Sequence, residues 1–233
     1  MSVLVRGILF DKDGTLFNFA EVWEDWASRL IAELSGAAAP LARKIGDIVG
    51  FDPQTRSFHP DSIIIAGTPQ DIAAALNGHL PDWDSDEIIT CANRLAQEVA
   101  LKSPVPLVPL LRDLRARGLK LGVATNDAEA PARAHLGDAG IMAFFDFLAG
   151  YDSGFGAKPA PGMLHEFCRI TGLDPETVVM VGDSVHDMQA GRAAGMVRVA
   201  VLTGMADRDE LAPHADVVLA HIGELPEWLK NAG

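Results

Sequence analysis

Asp11-Lys12-Asp13-Gly14-Thr15 follows directly on an apolar run from Val3 to Phe10. Two carboxylates this close suit nucleophilic attack by one and proton transfer by the other. Asp11 would attack phosphorus to give an aspartyl-phosphate; Asp13 would protonate the leaving oxygen and then activate water. Gly14 would let the backbone turn sharply and bring N–H groups close to a phosphate. The structural alternative is a strand running into an acidic loop, with Thr15 capping a helix. Charge this dense after a buried strand is costly to hold, and that favours chemistry.

Three more segments fit the same reaction. Thr125-Asn126-Asp127 offers a hydroxyl and backbone N–H groups for a phosphoryl oxygen, although Thr and Asn are also common turn and cap residues. Lys158, in Gly156-Ala157-Lys158-Pro159, is the kind of residue that normally sits solvated in a loop. A site made of carboxylates, however, needs a fixed cation to hold phosphate and keep its nucleophile ionised. Gly182-Asp183-Ser184-Val185-His186-Asp187 would, beside Asp11, complete an oxygen-rich site suited to Mg²⁺. Its alternative is a capped helix start, with His186 exposed or capping.

These segments need elements to position them. Short apolar runs at 3–10, 119–124, 144–149, 178–181, 197–202 and 215–219 read as strands buried on both faces of a parallel sheet. Helical patterns at 106–117, 130–139, 161–171 and 187–194 alternate with them. Together they predict a doubly wound α/β domain, with its ligand site beyond the carboxyl ends of the strands. The interval after the first strand breaks the rhythm with helical stretches at 21–34, 40–49, 70–80 and 85–102, and a short strand-like run, Ser62 to Ala66. The predicted division is therefore a core of 1–16 and 104–233 with an inserted α-helical domain of 17–103. Trp23, Trp26, Leu30 and Leu34 recur at helical spacing and are expected in the core of that insertion.

The bulk composition sets limits. A chain of 233 residues with 48% hydrophobic content can bury a core without staples. A net charge of −13 argues against nucleic-acid or anionic-membrane partners, which demand a basic surface. Cys91 and Cys168 belong to no metal or redox pattern and read as buried free thiols, suited to a reducing cytoplasm. No stretch has signal-peptide character or the length to span a bilayer, so a cytoplasmic location is expected.

In their order, Asp11-x-Asp13-Gly14-Thr15, Thr125, Lys158-Pro159 and Gly182-Asp183-x-x-x-Asp187 resemble the haloacid dehalogenase-like (HAD) hydrolase superfamily across essentially the whole chain. The run from Gly182 to Met188 and the following Ala190 to Gly195 are most similar to phosphoglycolate phosphatase-like members. The resemblance implies a Rossmann-like core with an inserted cap. It implies Asp11 as nucleophile and Mg²⁺ ligand, and Asp13 as acid/base and backbone-carbonyl ligand. Thr125 and Lys158 would bind the phosphoryl group with Asn126 assisting, Asp183 would complete the metal ligands, and Asp187 would orient Lys158 or a metal-bound water.

Asp13 also separates subclasses, because the dehalogenases lack an acid there; phosphonate-cleaving relatives use a cap lysine, and Lys44 has no matching motif around it. In the polar connector 51–61, Arg56 and His59 are candidates to meet a substrate carboxylate, a solvated loop being the alternative. The implied partner is a small phosphorylated metabolite, phosphoglycolate first, met by a monomer or homodimer. A sugar-phosphate mutase of the β-phosphoglucomutase type and a non-catalytic phosphate-binding regulator are the alternatives.

Overall fold

The computed structural model describes residues 4–99 and 101–232. Strand β1 (Gly7–Phe10) leads into α1 (Ala20–Leu34), α2 (Ala39–Val49), β2 (Phe51–Asp52), β3 (Ser57–Phe58), α3 (Ile63–Ala66), α4 (Pro69–Leu76) and α5 (Ser85–Gln97). Helix and strand then alternate through α6 (Leu107–Ala116), β4 (Lys120–Ala124), α7 (Glu129–Asp138), β5 (Phe147–Ala149) and α8 (Gly162–Thr171). The chain ends with β6 (Val178–Gly182), α9 (Val185–Ala194), β7 (Val197–Val201), α10 (Arg208–Leu211), β8 (Val217–Leu219) and α11 (Leu225–Ala232).

The chain divides into two compact units after Phe19 and before Leu101. The expected boundaries at 16/17 and 103/104 lay slightly inside these. Phe17 is buried in one cluster with Ile8, Phe10 and Leu16, and Leu101 packs against the same cluster. Apolar side chains on both crossings are thus part of the α/β unit.

That unit is built on a sheet of order β5-β4-β1-β6-β7-β8. Every adjacent pair is parallel. Period-2 alternation sends Ile8, Phe10, Leu121, Val123, Val179 and Val181 to one face. Leu9, Ala124, Val178 and Met180 go to the other. Both faces are buried, which is why the strands read as continuous apolar runs. β1 lies between β4 and β6, so the chain reverses its direction of travel across the sheet there. The carboxyl ends of these strands border the crevice where such sheets bind ligands.

In the helical unit, Trp23, Trp26, Leu30 and Leu34 are all buried. The two indoles meet edge to face with centroids 5.1 Å apart, and Trp26 Nε1 donates to the Ala92 carbonyl at 3.0 Å, tying α1 to α5. The run Ser62 to Ala66 is not a strand. Ser62 Oγ accepts the Ile64 N–H at 3.3 Å, and Ile63–Ala66 forms one helical turn. A short isoleucine run carries no period that separates strand from helix, and the local cap decides it. The extended pair is β2 with β3, antiparallel, from the connector read as irregular. Among the described residues no helix is long and apolar enough to cross a membrane.

Candidate active site

Asp11 leaves the end of β1, where its N–H donates to the Val181 carbonyl on β6 at 2.8 Å. The chain then turns tightly. The N–H groups of Leu16 and Phe17 donate to the Lys12 carbonyl at 3.0 and 3.1 Å, and the Gly14 N–H donates to the Phe17 carbonyl at 2.7 Å. Gly14 has φ +79°, and a Cβ there would overlap the Asp183 carboxylate. Only glycine serves at such a position. A Cβ at Gly204 would overlap the same carboxylate. Thr15 Oγ1 donates to Asp183 Oδ1 at 3.2 Å, and Thr203 Oγ1 donates to the Gly14 carbonyl at 2.5 Å. Asp183, just past β6, is therefore packed against the loop that carries Asp11.

Thr125 follows β4 and is buried; its N–H donates to the Ala149 carbonyl at 3.0 Å, and its Oγ1 accepts the Asp127 N–H at 3.1 Å. Asn126 grips the backbone of Lys158. Its Oδ1 accepts the Lys158 N–H at 2.8 Å and its Nδ2 donates to the Lys158 carbonyl at 2.9 Å. The side-chain amide is thus committed to the backbone of Lys158, across 32 residues of sequence.

Clipped there, Lys158 sends its buried ammonium to Asp11 Oδ1 at 2.5 Å and Asp187 Oδ1 at 2.6 Å. Asp187 belongs to a capping box opening α9: its Oδ2 accepts the Ser184 N–H at 3.0 Å and hydroxyl at 2.6 Å. Both its oxygens are engaged. His186 is half-buried on the same turn.

Asp11, Asp183 and Asp187 each offer an oxygen within 4.8 Å of the others, and all three are buried. One ammonium, that of Lys158, lies against two of them. The Asp11 carboxyl is pushed up from 3.8 to about 7: burial raises it most, Lys158 pulls against that, and Asp187 and Asp13 add repulsion. Burial likewise raises Asp183 well above the carboxylate range, with Asp11 and Asp187 adding to it. For Lys158, burial favours the neutral amine, but Asp11 and Asp187 outweigh it and the pKa rises. Buried, crowded oxygens with surplus negative charge fit a hard divalent cation, which would relieve both the desolvation and the repulsion. Asp187, with both oxygens engaged, is the least available of the three as a ligand.

A second buried cluster lies on the other side of the same loop. Lys12 is fully buried, with its ammonium 2.7 Å from each Asp13 oxygen, 3.1 Å from His135 Nδ1 and 3.3 Å from Asp127 Oδ2. Neither Lys12 nor His135 stands out in the sequence, where a loop lysine reads as solvated and a lone helical histidine as ordinary. For His135 the available signal was its buried neighbour Leu136; Lys12, between Asp11 and Asp13, offered none.

Arg56 and His59 belong to the helical unit. Arg56 lies 3.1 Å from Asp25, and His59 lines a cavity of about 290 Å³ together with Arg43, Asp47, Asp52 and Gln54.

The haloacid dehalogenase-like hydrolase family model matches residues 5–195. The chain is 30% identical to the phosphoglycolate phosphatase of Rhodospirillum rubrum, over 96% of this chain and 90% of that one. It is 28% identical to the glyceraldehyde 3-phosphate phosphatase of Methanocaldococcus jannaschii, over 98% of each. In fold it is similar to the crystal structure of β-phosphoglucomutase from Clostridium difficile, with TM-score 0.69, 18% identity and coverage of 98% of this chain and 96% of that one. An α/β sheet that gathers these carboxylates and one lysine at the ends of β1 and β6, matched by that family over most of its length, places the chain among the haloacid dehalogenase-like hydrolases.

Proposed function

We propose that this phosphomonoester hydrolase releases phosphate from a small cytoplasmic metabolite through an aspartyl-phosphate on Asp11, with Mg²⁺ as its metal and phosphoglycolate as the leading substrate. The observation that carries the reading is Asp11 itself. It is a buried carboxylate 2.5 Å from a buried ammonium, beside two further carboxylates, with Asp13 two residues along the loop. The similarity to a phosphoglycolate phosphatase at 30% identity supports the substrate, and two buried free thiols suit a reducing compartment.

In this reading an Asp11 oxygen attacks phosphorus, and the phosphorus–oxygen bond to the alcohol breaks. Asp13 gives its proton to the departing oxygen. Asp13 then takes a proton from the water that attacks the aspartyl-phosphate, which frees inorganic phosphate and restores the Asp11 carboxylate. Thr125 and Lys158 bind the phosphoryl oxygens, and Asn126 contributes by fixing Lys158. Asp11, Asp183 and the Asp13 backbone carbonyl would hold Mg²⁺, with Asp187 keeping Lys158 in line. The ion supplies positive charge that offsets the phosphoryl oxygens and favours ionised Asp11. Substrate choice is assigned to the helical unit acting as a cap.

Phosphate release from phosphoglycolate and from an aryl phosphate, measured with Mg²⁺ and with chelator, tests the reading. Release that needs Mg²⁺ and vanishes in Asp11→Asn is expected. A hexose bisphosphate intermediate with no net phosphate would replace the hydrolase reading with that of a mutase.

A further inference from the structure

Apart from Asp13, the second buried cluster has no part in the steps above, yet its lysine costs the fold more than a surface lysine would. Withdrawing an ammonium from water carries a large desolvation penalty, even after relaxation. Lys12 accepts it with its side chain entirely buried, while the Asp13 side chain keeps 13% of its surface exposed. The contact between them is two-pronged: the ammonium lies 2.7 Å from Oδ1 and 2.7 Å from Oδ2. Such a contact fixes the direction in which the carboxylate points, while the ammonium, a compact point charge, leaves its plane free to turn.

The ammonium is in turn fixed from behind. His135, buried on α7, presents Nδ1 at 3.1 Å; an ammonium only donates, so Nδ1 accepts and the ring proton sits on Nε2. Asp127 anchors its Oδ1 on the Ala128 N–H at 2.8 Å and turns Oδ2 to the ammonium at 3.3 Å. That Oδ2 is buried and meets no aligned donor, so its contact with Lys12 is electrostatic, not a formed hydrogen bond. It has a consequence for turnover. When Asp13 carries the proton that ester cleavage requires, Lys12 still faces one anion and is not left as an unpaired buried charge.

We propose that Lys12 is a positioning residue for Asp13: its ammonium, held by Asp127 and His135, grips the Asp13 carboxylate and sets the direction from which Asp13 passes its proton to the ester oxygen. One carboxylate oxygen can turn to the leaving group while the other stays on the ammonium. The inference rests on the phosphatase reading and adds to it the device that aims the acid.

Leaving-group dependence separates positioning from a merely structural role. The ratio kcat/KM reports steps up to departure of the alcohol, before water attack on the aspartyl-phosphate. An alkyl alcohol needs the proton from Asp13, whereas 4-nitrophenolate departs without it. In Lys12→Met, kcat/KM for an alkyl phosphate should fall by about 10²-fold, at the lower end of what acid–base catalysis supplies, and for 4-nitrophenyl phosphate by no more than about threefold. Asp13→Asn should show the same selectivity. His135→Leu should show it more weakly and His135→Asn, which offers an acceptor near Nδ1, should recover most of the loss. If Lys12→Met does not fold, the His135 pair carries the test. Equal losses on both esters would make the cluster structural and overturn the inference. Wild-type protein that cleaves neither ester would instead sink the phosphatase reading, and this inference with it.

Discussion

Two buried lysines serve one acidic loop, and the difference between them lies in what surrounds their charge. Lys158 reaches Asp11 across 147 residues of sequence and shares it with Asp187, in a group to which Asp183 adds a third carboxylate. Lys12 lies beside Asp11 in sequence but turns to Asp13 and Asp127, with His135 Nδ1 as a further acceptor. The first cluster carries an anionic surplus and has room for another cation; the second has fewer carboxylates and brings its own acceptors. A carboxyl in each cluster is pushed upward, chiefly by burial: Asp11 to about 7 and Asp127 to about 6. In the proposed reading, the surplus charge is where a phosphoryl group and its counter-ion would bind, and the closed ion cluster is what would hold a side chain still.

The contrast can be broken first at Lys158. Lys158→Met removes charge from the phosphoryl site, so kcat/KM should fall by about 10³-fold, as for loss of a main transition-state donor, and equally for alkyl and aryl esters. Selectivity between esters in this variant would erase the distinction from Lys12. Asn126→Ala sharpens the same side. It deletes two hydrogen bonds to the Lys158 backbone, each worth about 0.5–1.5 kcal/mol. Urea unfolding should show a loss near ~2 kcal/mol, and kcat/KM should drop about tenfold as Lys158 loses its aim. A loss as large as that of Lys158→Met would mean that Asn126 touches the phosphate itself.

The smallest effect is on stability against pH. Asp11 and Asp127 titrate higher in the folded chain than when unfolded, so the folded state binds more protons between their unfolded and folded values. Their contribution is fully present below the unfolded carboxylate pKa of 3.8 and is lost as pH rises through about 6 and about 7. In chelator, Tm should therefore fall by a few degrees from about pH 5 to about pH 8, and Mg²⁺ should restore more of it at the higher pH. Asp127→Asn should reduce the fall only below about pH 6, whereas Asp11→Asn should reduce it up to about pH 7. A chelated wild-type protein with flat Tm over that range would break the comparison of the two clusters.

The sheet was legible because its strands are buried on both faces: Ile8 to Phe10 and Val178 to Val181 show continuous apolar runs that end in acidic residues. The helical unit was legible from the spacing of Trp23, Trp26, Leu30 and Leu34. Ser62 to Ala66 was misread because five residues carry too little period, and the hairpin of β2 and β3 was missed because two-residue strands carry none. Asn126 was read as assisting phosphate binding because a strand-end amide next to Thr125 has that chemistry available; its hydrogen bonds to the distant Lys158 backbone could not be read from the sequence.

The sequence by itself determined which reactive groups this protein carries and at which strand ends they emerge, since residue type and strand pattern are local properties. Tertiary structure alone decided the pairing: Lys158 with Asp11 and Asp187, and Lys12 with Asp13, Asp127 and His135. The physical reason is that a buried charge takes its energy from the few groups within about 4 Å and from the water it has lost. Neither quantity can be read along a chain whose partners lie 123 and 147 residues apart.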